Sequence, residues 1–411
     1  MPASESIYDN LAALQPELDK CMRCGFCMAV CPVYGMEETE QAVARGKIAI
    51  VDAVVAGELS LHDPRVRDAM FDCLVCKSCM ESCPTKVNFD RIVVGLRAAL
   101  AREEGLPLAK RAIFGVIKHP ALLDWAMKAA ALAQPLATGQ QARLMPKLTT
   151  PLRDRVPEHV PVESPRARVA FFTGCSLNYM YPEAGIDLAY VLSENNVEVT
   201  IPKAQQCCGT PVFIHGDIET ARTLARRNID IMDNCGADYI ITGCGSCGGA
   251  WQREFSELLG GDEEYSRRAA YWSTRTYDIS TFLVDVIQYR RPAGAVETSV
   301  TYHDPCHLKK TMKVARQPRE ILKSIPGVRF VEMPRPDACC GCGGSYALTH
   351  TETSTAIARK KTDDVQATGA ETVTTGCPAC MMQLTANLGR PAHHFISLLA
   401  HSYRREAEAE R

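Results

Sequence analysis

The 411-residue chain lacks the usual marks of an enzyme that carries its own organic cofactor. No G-x-G-x-x-G follows a strand-like stretch and no Walker A sequence occurs, so no flavin, nicotinamide or nucleotide site is visible. No apolar run reaches the ~18 residues that a membrane-crossing helix needs. The opening MPASESIYDNLAALQPELDK has neither a basic nor an apolar leader region, so no secretory signal is expected. A net charge of -2 argues against a dedicated nucleic-acid binder, whose footprint is a strong basic excess.

What the chain has in excess is cysteine, 20 residues of it. Eighteen fall into four groups. Cys21, Cys24, Cys27 and Cys31 precede Pro32, and Cys73, Cys76, Cys79 and Cys83 precede Pro84. Both read C-x2-C-x2-C-x3-C-P, the bacterial ferredoxin run for [4Fe–4S] clusters. Three closely spaced cysteines can wrap one cube, while the fourth reaches the other. One cubane is therefore expected on Cys21, Cys24, Cys27 and Cys83, and the second on Cys73, Cys76, Cys79 and Cys31. Structural zinc usually takes separated C-x2-C pairs. Disulfides fit poorly with the missing leader, and free thiolates point to a reducing compartment. The expected location is cytoplasmic, free or docked on the inner face of a membrane.

The third and fourth groups repeat each other. Cys175 is followed by Cys207-Cys208-Gly209, then Cys244 and Cys247; Cys306 is followed by Cys339-Cys340-Gly341, then Cys377 and Cys380. The repeat has a period of about 131 residues. In each copy strand-like stretches (RVAFF, VEVTI and DYIIT; SVTY, VRFVEM and TVTT) alternate with helical segments, which implies parallel sheets. The cysteines follow the carboxyl ends of those strands, where open α/β sheets place ligands. Gly209 and Gly341 allow unusual backbone angles, so that both cysteines of a doublet can reach one centre. A pair of zinc sites, or one copy that keeps only the fold, remain alternatives to two further clusters.

The expected architecture is an α+β multidomain protein. Residues 1–105 form a helical ferredoxin-type domain with two [4Fe–4S] motifs, with helical apolar spacing at 41–56 and 87–103. Residues 106–164 form a helix and a Pro-rich linker. Two repeated α/β domains with parallel sheets follow at 165–292 and 293–411.

Tandem Cys-Cys-Gly domains behind two ferredoxin motifs resemble a family of iron–sulfur subunits. It includes those of glycolate, lactate and anaerobic glycerol-3-phosphate dehydrogenases, and the heterodisulfide reductases. The resemblance implies an electron-transfer subunit serving a flavoprotein dehydrogenase subunit, with a quinone or membrane-bound acceptor. It further implies one or two [4Fe–4S] clusters, cubane or non-cubane, in the Cys-Cys-Gly domains. In heterodisulfide reductases five cysteines of such a motif hold a non-cubane cluster that splits a disulfide. Both copies here have all five. Glycolate-type subunits often lack the counterpart of Cys247, so its presence leans toward the heterodisulfide-reductase pattern.

The remaining chemistry-bearing residues get plainer readings. Cys235 ends a helix and reads as a buried structural thiol. Cys342, in CCGCGG, reads as a bystander, with a spare ligand as the alternative. His303 and His307 flank Cys306 and either orient the loop or donate a hydrogen bond to cluster sulfur. Lys309 and Lys310 read as a solvated pair.

Overall fold

The computed structural model describes residues 6–136 and 144–411. The first five residues, part of the opening read above for a leader, and residues 137–143 of the expected linker lie outside it.

The N-terminal region is helical, as its apolar spacing implies. Helix Ala44–Val55 packs against helix Phe89–Glu104. Ile48 and Val51 on one, and Ile92, Val93 and Leu96 on the other, recur at helical spacing and close a core with Leu14 and Leu18. Helix Pro64–Phe71 begins with Pro64 behind Asp63, whose side chain caps the Arg65 N–H.

Residues 106–133 form two helices, Leu108–Lys118 and Pro120–Ala133, broken where Pro120 cannot continue the first. The Pro-rich stretch that follows is not only a connection. His159–Val160 (β1) pairs antiparallel with Val197–Thr200 (β3), adding an edge strand to the first sheet.

That sheet runs β1-β3-β2-β4-β5, with β2 Ala167–Phe172, β4 Tyr239–Thr242 and β5 Thr276–Asp278. The second sheet runs β7-β6-β8-β9, with β6 Thr298–His303, β7 Val328–Phe330, β8 Thr372–Thr375 and β9 Ala392–His394. Every pairing except β1·β3 is parallel. The six strands read from sequence are present, and β1, β5 and β9 are additions too short to show a pattern.

Alternation along β2 divides its side chains. Val169 and Phe171 join the core shared with Val300 and Tyr302 of β6 and with Leu399 and Tyr403 of the last helix. Ala170 and Phe172 face a second core that holds cysteines of both copies. The two Cys-Cys-Gly copies are thus packed together, with helix Pro182–Ser193 against helix Phe395–Ala409.

Candidate metal centres

The two ferredoxin runs adopt one backbone shape. The residues before and after the second cysteine are left-handed in both: Arg23 (φ 56°) and Gly25 (φ 87°), then Val75 (φ 52°) and Lys77 (φ 63°). Short helical turns follow at Phe26–Val30 and Ser78–Glu81. This conformation costs a β-branched residue such as Val75 on the order of 1–3 kcal/mol, and such strain clusters at binding sites.

Two cavities result. One is lined by Cys21, Cys24, Cys27, Cys83 and Cys79. The other is lined by Cys31, Cys73, Cys76 and Cys79. Each fourth cysteine therefore lies with the triplet of the opposite run. The donor chemistry fits cubanes: four cysteine sulfurs around a small void with apolar walls. All twenty cysteines are unpaired. Cys31→Ser is accordingly expected to cost the centre at Cys73, Cys76 and Cys79 and to spare that at Cys21. Iron content and EPR of the variant check this, and loss of the Cys21 centre instead contradicts it.

In the first Cys-Cys-Gly copy, Cys175 Sγ lies 3.8 Å from Cys207 Sγ. Cys208 contacts Cys207 and Cys247, and Cys247 contacts Cys244. Gln205 positions the opening loop, its Oε1 accepting from the N–H of Thr173 at 2.8 Å. In the second copy Cys340 Sγ lies 3.5 Å from Cys380 Sγ, and Cys380 contacts Cys377. The glycines behind the doublets are left-handed, φ 83° at Gly209 and 84° at Gly341. A Cβ on Gly341 would also come within 2.6 Å of the Ser354 carbonyl.

The centres are linked. Cys76 of the second ferredoxin run lies against Cys339. Cys244 of the first copy lies against Cys377 of the second. The second link depends on close approach of the turn Gly245–Gly249 to Cys306–Lys310. A Cβ on Gly245 would stand 2.8 Å from the Leu308 nitrogen. Cys79 lines both ferredoxin cavities, and sulfur contacts continue from Cys76 through the second copy to Cys175.

Buried cations surround the second ferredoxin cavity. Arg97 is 3% exposed and donates to the carbonyls of Met70, Cys73 and Ile214. Burial brings its pKa down to about 10. Lys47 donates to the carbonyls of Gln41 and Ala69, and Lys77 faces Asp90 at 3.3 Å. Lys47 also has Asp72 at 3.9 Å and Lys77 has Glu254 at 3.9 Å, whereas Arg97 bonds to carbonyls alone, and burying a cation so is costly unless an anion compensates. An anionic thiolate-bound cluster is such an anion. Burial pushes Cys31 and Cys306 up to about 12, so iron must displace their protons.

Lys310 corrects the reading of a solvated pair. It is buried, its Nζ reaches Ser78 Oγ at 2.5 Å, and Cys76, Cys306 and Cys339 surround it. Lys309 is the half-exposed member and pairs with Asp337 at 2.7 Å. Cys235 donates to the Met232 carbonyl at its helix end. Cys342 is buried near Cys340, Cys377 and Cys306. His307 bonds through Nε2 to the Val75 carbonyl, tying the second copy to the ferredoxin loop. Arg97, Lys47 and Lys77 were not legible as site residues, because isolated basic residues carry no positional signal.

Residues 17–87 match the 4Fe-4S dicluster domain, and residues 169–251 and 300–385 each match the cysteine-rich domain. A Bacillus subtilis protein named "Probable glycolate oxidase iron-sulfur subunit" is 32% identical, covering 91% of this chain and 90% of its own. The chain belongs to this family of iron–sulfur subunits. One subunit of the fumarate reductase (CoM/CoB) of Methanothermobacter marburgensis is 31% identical over 90% of this chain and 68% of its own. One subunit of the dihydromethanophenazine:CoB–CoM heterodisulfide reductase of Methanosarcina barkeri is 27% identical over 92% and 90%. The resemblance drawn from the cysteine pattern thus holds across the chain. Among the described residues no helix is long and apolar enough to cross a membrane.

Proposed function

We propose that the chain is the electron-transfer subunit of a flavin-dependent 2-hydroxy acid dehydrogenase of the lactate or glycolate type. The carrying observation is the series of sulfur contacts from the second ferredoxin run through both Cys-Cys-Gly copies, with Cys79 lining both ferredoxin cavities. Iron–sulfur clusters supply one-electron chemistry when bound there; hydride removal belongs to a partner flavoprotein. The chain's own residues space the centres, exclude water and offset charge. Met22, Phe26 and Val30 are exposed around Cys24 and offer the partner an apolar patch. Electrons enter there, cross the two ferredoxin centres and pass from Cys76 to Cys339 of the second copy, from which the first copy branches at Cys377 and Cys244. A quinone or another carrier takes them on. The name of the Bacillus subtilis relative supports the glycolate type.

The isolated, flavin-free chain is expected not to oxidise lactate or glycolate, and the assembled complex to do so. Substrate-dependent dye reduction by the pure chain would overturn the reading.

A second reading, a subunit that itself reduces a disulfide, draws on the complete five-cysteine sets with Cys247 and on one structural feature. A cavity of about 380 Å³ lies between the copies, lined among others by Tyr181, Met381, His393 and His394. Disulfide-dependent oxidation of reduced viologen by the isolated chain would favour it.

A further inference from the structure

The two Cys-Cys-Gly copies differ at one position that faces the sulfur atoms. The residue three before the opening cysteine is Phe172 in the first copy and His303 in the second. Each ends its strand and each is 1% exposed. Phe172 packs edge-on against Trp251, at 5.6 Å between ring centroids, and needs no polar partner. The imidazole of His303 does.

One of its nitrogens is settled. Nδ1 lies 3.0 Å from the carbonyl oxygen of Pro336. A carbonyl only accepts, so Nδ1 carries the proton and the neutral ring presents a lone pair at Nε2. Nε2 is buried, makes no hydrogen bond of ordinary geometry, and has the Cys340 sulfur as its polar neighbour. Leaving such an atom unmatched costs about 1–3 kcal/mol, so it calls for an explanation. One ring nitrogen of His303, Cys340 Sγ and Cys380 Sγ all lie within 4.8 Å of one another, and Nε2 is the one not engaged by Pro336. His307 likewise leaves Nδ1 buried without a partner, whereas His394 shows the contrast. His394 places Nε2 3.0 Å from the Gly243 carbonyl, and its Nδ1 accepts from the Ile396 N–H, so both its nitrogens are used.

We infer that His303 Nε2 is an iron ligand of the second Cys-Cys-Gly centre, which therefore has a mixed nitrogen and sulfur donor set. This rests on the reading that the centre holds an iron–sulfur cluster. The reverse role, donation of a hydrogen bond to sulfur, needs a proton on Nε2, and the neutral tautomer fixed by Pro336 has none there. The nitrogen–carbonyl bond at Nδ1 is the support that orients metal-bound histidines generally and raises their basicity. The consequence is electronic. Neutral imidazole adds no negative charge where thiolate would, and histidine in place of cysteine raises cluster potentials. The second centre is then a better electron acceptor than the all-sulfur first centre, where Phe172 occupies the equivalent place.

The test is nitrogen hyperfine spectroscopy on the reduced full chain, grown with 15N-histidine. The expected result is a strong coupling to one cluster, lost in both His303→Phe and His303→Gln. His303→Cys is expected to shift one midpoint potential downward and leave the others in place. Wild-type spectra with the second-centre signal present but no strong nitrogen coupling would overturn the ligand. So would a weak coupling accompanied by a deuterium-exchangeable proton, the signature of a hydrogen-bond donor. Iron content separates this from the underlying reading: if Cys339→Ser loses no iron, both fall.

Discussion

Replacing Cys339 or Cys340 by serine is expected to abolish acceptor reduction by the assembled complex, a loss of more than about 100-fold. Changes to groups that merely support a metal ligand already cost 10–100-fold. The structure adds a geometric reason, because Cys339 is the sulfur that meets Cys76. Losing the second centre therefore also disconnects the first, which meets the second at Cys244 and Cys377. Cys207→Ser or Cys208→Ser leaves the path from Cys24 to the second centre intact and retains more activity. Their cost falls partly on stability, since a lost metal site loosens its surroundings. Rapid-mixing spectra of the complex read the difference. In Cys339→Ser the first centre stays oxidised while the ferredoxin centres are reduced; in Cys207→Ser the other three centres still fill. Equal losses in folded variants would contradict the ranking.

Arg97→Met is expected to have the largest effect on stability. The guanidinium joins three carbonyls from different parts of the chain: Met70, Cys73 and Ile214. Methionine fills much of the volume but donates nothing. Each buried acceptor left without a donor costs about 1–3 kcal/mol. The expected destabilisation is about 3 kcal/mol or more, with loss of the centre held near Cys73 as the loop relaxes. Denaturant unfolding together with iron content measures both. A change under about 1 kcal/mol with iron retained would show that the carbonyls find other partners.

Much of the site was legible because its signals are local. C-x2-C spacing and the glycine behind each doublet act over a few residues, and runs such as RVAFF and TVTT mark buried parallel strands whatever surrounds them. What escaped depends on packing between distant segments. The contact of Cys76 with Cys339 follows from docking the helical region on the second copy, and nothing near either residue announces it. Lys310 reads as one of two surface lysines until that docking buries it against Ser78. His303 was visible as a neighbour of Cys306. Its role turns on Pro336, 33 residues away, which fixes the ring's proton on the far nitrogen. The edge strand His159–Val160 is two residues long and sits among prolines, so no periodicity could mark it.

Whether the Cys-Cys-Gly copies add iron and sulfide to the two ferredoxin centres, in a connected series, is tested most directly by iron and acid-labile sulfide in the anaerobically purified chain. Three to four [4Fe–4S] centres predict about 12–16 iron per chain, with matching sulfide. About 8 would mean that the Cys-Cys-Gly copies are empty, and would contradict the connected series.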